Sequence, residues 1–434
     1  MNIPVAASLD VPAEPGQPMT VARSARRRIL SGGLIMLVSS VLSAGMNFLY
    51  NVHVAQKLGP SEFGHVATAL TLLLLSTSVM LSFQIVCAKF VARNETASAK
   101  AGVFHSLMSR AWRVSILVGV ALVLLSAPLT RFLHFPNVWI VVLMAVAIAF
   151  YIPVGVKRGG FQGTCSFPLL ATNFTLESAV KLVLAFALVW KFGAIGAVIA
   201  IAASEIAAYS LPRINPMLRQ PRSEFISANS REGIQAIVFF VGQSIIMNID
   251  LILVKHYFPS YEAGQYAAVA LVGRVLFYAS WAVIHAMFPV AAQNGGSDQR
   301  RGVLAVPLGL VGAIFLGFLG VLSIAPGMVM KTLFGPGFAQ AEPLLALYAS
   351  GTAAYAIAVV LMAYEMAHKI ANTGWLQVVF AAVLVAGISL FHHSLHQVIV
   401  VLITLMSTLL LTVSLPFLRA QARHPHDVVP REAA

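Results

Sequence analysis

The sequence predicts an all-α integral membrane protein of about twelve transmembrane helices, arranged as two pseudo-symmetric six-helix lobes. Three observations carry this. Apolar runs of about 20 residues, the length at which a helix spans a bilayer, recur along the whole chain. Of the 434 residues 59% are hydrophobic and only 10% are charged, with a mean hydropathy of +0.85, whereas soluble domains carry about 25% charged residues. A short motif also recurs about 200 residues apart, at corresponding places in two halves.

Bounded by Gly, Pro and charge, the runs fall at 29–53, 64–87, 113–130, 137–156, 168–190, 194–212, 233–257, 264–290, 303–325, 341–364, 372–391 and 396–418. Residues 1–28 are expected to be a disordered cytoplasmic tail, patternless and Pro-containing, ending in Arg23, Arg26, Arg27 and Arg28. This basic-then-apolar order has the look of a secretory signal, but the first run is too long for a signal core, so a retained first helix is expected. The longest polar gap lies halfway along. It divides the chain into a lobe of 29–212, a cytoplasmic linker of 213–232, a lobe of 233–418 and a cytoplasmic tail of 419–434. No connection is long enough for a soluble domain.

Charge supplies orientation. With the N-terminus inside, inner segments hold twenty-one of the twenty-eight Lys and Arg residues, Lys157 and Arg158 among them. Outer segments hold Lys57, Arg131, Lys191, Lys255 and Lys331, and Lys181 and Arg274 fall within spans. Cytoplasmic loops of membrane proteins carry such a bias, and a missed helix would reverse it downstream. The net charge of +13 is therefore read as topology and attraction to anionic lipid, not as a nucleic-acid surface.

The repeat joins Leu58-Gly59-Pro60-Ser61-Glu62-Phe63-Gly64-His65-Val66-Ala67 to Phe258-Pro259-Ser260-Tyr261-Glu262-Ala263-Gly264-Gln265-Tyr266-Ala267. Each follows an odd-numbered span at the outer face. Pro and Ser can turn the chain and cap the next helix. Six spans per half give both halves one orientation, so an axis along the membrane normal should relate them.

Enzyme signatures are missing from the sequence: no Walker A, no His-Glu-x-x-His and no Gly-x-Ser-x-Gly occurs. His392, His393 and His396 cluster in an outer turn without an acidic or Cys partner nearby, so no metal is expected, and no cofactor. Asn94-Glu95-Thr96 matches a glycosylation acceptor but falls on the cytoplasmic side. Cys87 and Cys165 make no disulfide framework.

The informative residues are ionisable groups within spans: Glu177, Lys181, Glu205, Asp250 and Arg274. Facing lipid, each would cost about 2.5–3.5 kcal/mol or more near a helix centre, so each should face the bundle interior or water. Asn173, Glu177 and Lys181 lie four apart on one helical stripe. Gln243 and Asp250 share a face of the seventh span, and Arg274 lies at similar depth in the eighth, where it can pair with Asp250. Arg274, Lys181, Asn173 and Gln243 are candidate substrate ligands, because Arg and Lys in a cavity suit an anion. Asp250, Glu177 and Glu205 are candidates for ion coupling or for charge pairing.

Asn47-Phe48-Leu49, Leu58-Gly59-Pro60-Ser61-Glu62-Phe63-Gly64, Ala88-Lys89-Phe90-Val91-Ala92 and Gly159-Gly160-Phe161-Gln162-Gly163 together resemble the Wzx-like flippases of polysaccharide biosynthesis. So do Asn248-Ile249-Asp250-Leu251-Ile252-Leu253, Gly264-Gln265-Tyr266, Met287-Phe288-Pro289 and Phe334-Gly335-Pro336-Gly337-Phe338 in the second half. The resemblance implies the multidrug/oligosaccharidyl-lipid/polysaccharide exporter superfamily, two six-helix lobes around a cavity, and alternating access. It implies a non-enzymatic flippase for a polyprenyl-diphosphate-linked oligosaccharide in a bacterial inner membrane; the charge bias is what puts both termini in the cytoplasm. Expected partners are that lipid, membrane lipid, and a glycan polymerase or glycosyltransferases. The rival is a cation-coupled multidrug exporter on the same scaffold; a ligase or polymerase would need a sizeable outer loop.

Overall fold

The computed structural model describes residues 20–220, 234–293, 297–368 and 374–422, and among these there is no strand. Helix Thr20–Leu75 leads through a turn at Ser76 into Thr77–Arg93. The apolar stretch Gly32–Arg93 is 62 residues long. A straight helix of that length would be about 90 Å, against about 30 Å of hydrocarbon. It breaks at Gly59, at φ 73° and ψ 178°, a left-handed region that glycine enters without steric cost. Helix Phe167–Ser210 breaks likewise at Gly193, φ 57°. There the chain reverses: Asn173 Nδ2 donates to the carbonyls of Ala208 at 2.6 Å and Leu211 at 2.9 Å, groups about 50 Å away along a straight helix.

Counted with both breaks, the described residues form twelve spans. They are 20–58; 60–75 with Thr77–Arg93; Ala97–Leu124; Trp139–Gly163; 167–192; 194–210; Ile234–Tyr257; Ser260–Gln293; Ser297–Ile324; Glu342–His368; Gly374–Leu390; and Leu395–Ala422. Short helices Ser126–Phe132 and Pro326–Phe334 lie after the third and ninth spans, the latter bent 87° from the ninth. Residues 221–232 of the expected linker lie outside the described residues. The first helix begins at Thr20, so the arginines expected at the end of a tail stand in its first turns. Thr96, of the discarded glycosylation match, accepts from the Ala99 amide and starts the third span.

Span direction follows from side-chain contacts. The first and fifth spans run in parallel, Ser39 bonding to Ala171 and Asn47 to Ser178. The second and fourth do so too, joined by glycines at every fourth position. A Cβ on Gly155 or Gly159 would sit 2.4 Å from the carbonyl of Met80 or Gln84, and one on Gly163 2.8 Å from that of Ala88. Small residues at this spacing let helix backbones touch. The outward surface is strongly apolar, with Leu34, Leu117, Trp190, Leu316 and Leu411 each more than 60% exposed. In water such a surface would not persist, whereas in lipid it is the favoured one.

The two halves meet beside Gly59. A Cβ on Gly264 would lie 1.8 Å from the carbonyl oxygen of Pro60, and one on Gly64 would lie 2.8 Å from that of Ser260. Residue 60 thus meets 264 while 64 meets 260. This reciprocal exchange is the signature of a two-fold contact, made by the two copies of the repeated motif. Around it Phe63 packs on Phe334 and Phe338. Gln56 donates to the Leu333 carbonyl at 2.9 Å, and His256 stacks on Phe132 at 3.9 Å. Deeper in the seam, Ser244 donates to the Leu74 carbonyl at 3.0 Å.

Candidate functional site

Among the described residues two buried charge networks lie within the bundle, one in each half. In the first half Arg158 is the centre. Its guanidinium pairs with Glu177 through one Nη, donates from Nε to Asn173 Oδ1 at 2.8 Å, and stands 4.0 Å over the ring of Phe174. Lys181 Nζ lies 3.7 Å from Glu177 and donates to Asn47 Oδ1 at 2.8 Å. Asn173, anchored by the end of the sixth span, thereby orients Arg158. Four spans, the first, fourth, fifth and sixth, are tied at one depth.

Glu205, on the sixth span, is fully buried beside this network. Among the described residues neither of its carboxyl oxygens has a hydrogen-bond partner, yet it lies within electrostatic reach of Glu177, Lys181 and Arg158. Two carboxylates side by side repel, while one that keeps its proton can donate to the other.

In the second half the centre is Asp250. Its Oδ1 accepts from Arg274 at 2.7 Å, and its Oδ2 accepts from Tyr266 at 2.8 Å and Tyr348 at 2.9 Å. Arg274 Nε also donates to the Tyr348 hydroxyl at 3.1 Å. All four residues are buried. The Asp250–Arg274 pairing expected from depth is present, although Arg274 starts fourteen residues into the eighth span and Asp250 lies seven from the end of the seventh. Helical side chains point towards their own N-terminus, so the long Arg274 side chain reaches back to Asp250.

Of the seven residues singled out by sequence, Glu177, Lys181 and Asn173 come together with Glu205 beside them, and Asp250 joins Arg274. Gln243 joins neither network, and its Oε1 is buried without a partner. Lys181 and Arg274 belong to separate networks, each held by an acid. Sequence reasoning assigned Lys157 and Arg158 to an inner loop, and the structure corrects this. The fourth span runs to Gly163, and both residues are 2% exposed. Lys157 Nζ donates to the carbonyls of Ala208 and Tyr209, at 2.9 and 2.6 Å, closing the C-terminal end of the sixth span. Lys255, assigned to an outer segment, is likewise fully buried. The signal for Arg158 was present: Gly155, Gly159 and Gly163 continue a packed stripe past the charged pair.

This fold is shared with solved transporters. An inward-facing multidrug resistance transporter of the MATE family and MOP superfamily superposes with a TM-score of 0.69 at 13% identity, over 88% of this chain and 96% of that one. The lipid II flippase MurJ, in an inward closed conformation, gives 0.70 at 12% identity, over 88% and 87%. A MOP superfamily transporter from Pyrococcus furiosus gives 0.56 at 13%, over 91% and 95%. At these identities the likeness shows the fold. No curated protein matches the sequence. The sequence profile described as polysaccharide biosynthesis protein matches residues 29–294, more than half of the chain. On that match, this chain belongs to the polysaccharide biosynthesis protein family.

Proposed function

We propose that this MOP-fold membrane transporter is a flippase for a polyprenyl-diphosphate-linked oligosaccharide, working by alternating access of the two lobes 29–212 and 233–418. The observation that carries the reading is the family match over 29–294, in a chain whose fold is that of MATE transporters and of MurJ. The two halves touch through glycines at the Gly59 face, a contact that can part without breaking either buried charge network. Lys181 and Arg274 are the proposed diphosphate ligands. Both are held by acids in this conformation, so each must exchange Glu177 or Asp250 for the substrate. Glu205 is the proposed coupling group, a carboxyl beside Glu177 that would take up and release a proton during the cycle. Gln243 and Asn173 complete the proposed polar lining. A polymerase or glycosyltransferases that make the glycan are the proposed partners.

The test is transport in proteoliposomes holding the purified chain and a fluorescent prenyl-diphosphate disaccharide, read by access of an external glycan-modifying enzyme. Glu205→Gln should flip at a rate indifferent to an imposed pH gradient, while the wild type accelerates with it. A chain that moves cationic dyes and not the glycolipid would replace this reading by that of a drug exporter.

The Gly59 face is proposed to be external, in a bacterial inner membrane, with both termini in the cytoplasm. An alkaline phosphatase fusion after His134 should be active and one after Pro221 inactive. Equal activity at both would overturn the orientation.

A further inference from the structure

Lys255 stands on the last turn of the seventh span, fully buried in the seam at the Gly59 face. Its Nζ donates to Ser260 Oγ at 2.5 Å, and among the described residues no carboxylate oxygen lies within 4.0 Å of it. Ionisable groups of the other half lie beside it. Half-buried Glu62 and buried His65 are within electrostatic reach. The His134 ring lies 3.5 Å from the Lys255 carbonyl, and Gly64 packs on Ser260. His65 is itself buried, with Nδ1 unpartnered.

An ammonium carries three donors, and here one is used. Sealing such a charge away from water costs several kcal/mol unless it is well paired. An ammonium with donors to spare, faced across one seam by an imidazole with an unpartnered Nδ1, is poorly explained as packing. The arrangement is well explained if the seam opens. Parted halves would present an ammonium and an imidazole to one mouth, a pair suited to a phosphoryl oxygen, with Glu62 as the internal counter-charge when no anion is bound.

We propose that Lys255 and His65 form an anion-binding station in this seam, sealed in the present conformation and exposed when the halves part, which takes the phosphoryl group of a lipid. It rests on the alternating access proposed above, and it is separate from the Lys181 and Arg274 networks. A lipid diphosphate and the phosphate of a bulk anionic lipid share the chemistry it recognises.

The experiment uses the full chain in phosphatidylcholine nanodiscs, with Cys87→Ala and Cys165→Ala. Spin labels replace the exposed Lys57 and Lys331, which flank the Gln56–Leu333 bridge across the seam. Farnesyl diphosphate should raise the population of long label distances, and farnesol should not. Lys255→Gln should weaken the half-saturating concentration by about tenfold or more, the loss of a hydrogen bond to a charged group. Lys255→Arg should retain the response and His65→Gln should weaken it. An unchanged distance distribution without ligand shows that each variant is folded, and Lys255→Met replaces Lys255→Gln if the latter does not accumulate.

A Lys255-dependent response to phosphatidylglycerol alone also supports the station and names bulk lipid as its ligand. An equal response in Lys255→Gln, or none in the wild type to any phosphoryl probe, overturns it. If glycolipid flipping persists in that second case, the station alone has failed. If flipping is missing while the Lys255-dependent response is present, only the proposed function has failed.

Discussion

Arg158→Ala is expected to remove most of the protein from the membrane. The substitution leaves Glu177 buried without its closest cation and Asn173 without the donor to its Oδ1. Removing one partner of a buried pair costs about 3–5 kcal/mol, a large share of the about 5–15 kcal/mol that holds a domain folded. Lys181, at 3.7 Å, offsets only part of this, because it is already bonded to Asn47. Arg158→Met with Glu177→Gln removes both charges and should recover abundance and thermal midpoint most of the way. The measurement is fluorescence-detected size-exclusion of a fusion, with heating, for the single and double variants. A single variant as stable as the wild type would mean that Arg158 and Glu177 are hydrated in the membrane.

Asp250→Ala is expected to be nearly as damaging, because three donors converge on this carboxylate. A guanidinium and two phenols would lose their acceptor together, again about 3–5 kcal/mol. Asp250→Asn keeps an acceptor oxygen and should be milder. Arg274→Lys separates architecture from transport. The lysine keeps the charge and loses the Nε bond to Tyr348, so abundance should fall little. Lysine cannot offer the planar fork of arginine to a phosphate, so transport per molecule should fall about tenfold, the worth of one charged hydrogen bond. Membrane abundance measured beside glycolipid flipping decides this. Wild-type flipping per molecule in Arg274→Lys would make the Asp250 network purely architectural.

Much of this was open to the sequence, for a physical reason. In lipid, backbone groups must be satisfied within the segment, so about 20 apolar residues already specify a helix, and twelve such runs appear among the described helices. The repeated Pro-Ser motif, whose Glu and Gly fall one residue further on in the second copy, lies where the halves touch, because the backbone-to-backbone crossing there leaves room only for glycine at 64 and 264. Helical periodicity alone put Asn173, Glu177 and Lys181 on one stripe, and depth alone put Asp250 within reach of Arg274.

Tertiary structure decided the rest. A hydropathy boundary treats charge as the end of a span, so Lys157 and Arg158 were counted as loop residues, and Lys255, in the last turn of run 233–257, was counted with the outer segments. Their burial depends on partners remote in sequence: the carbonyls of Ala208 and Tyr209, the carboxylate of Glu177, and the facing wall of the other half. Tyr266 and Tyr348 gave no sequence sign of being ligands to Asp250, since a tyrosine in an apolar run reads as packing until a carboxylate is found beside it. The chain's local chemistry determined where helices form and which residues cannot face lipid. Which of those residues meet, and which are sealed in a seam, followed only from how the helices pack.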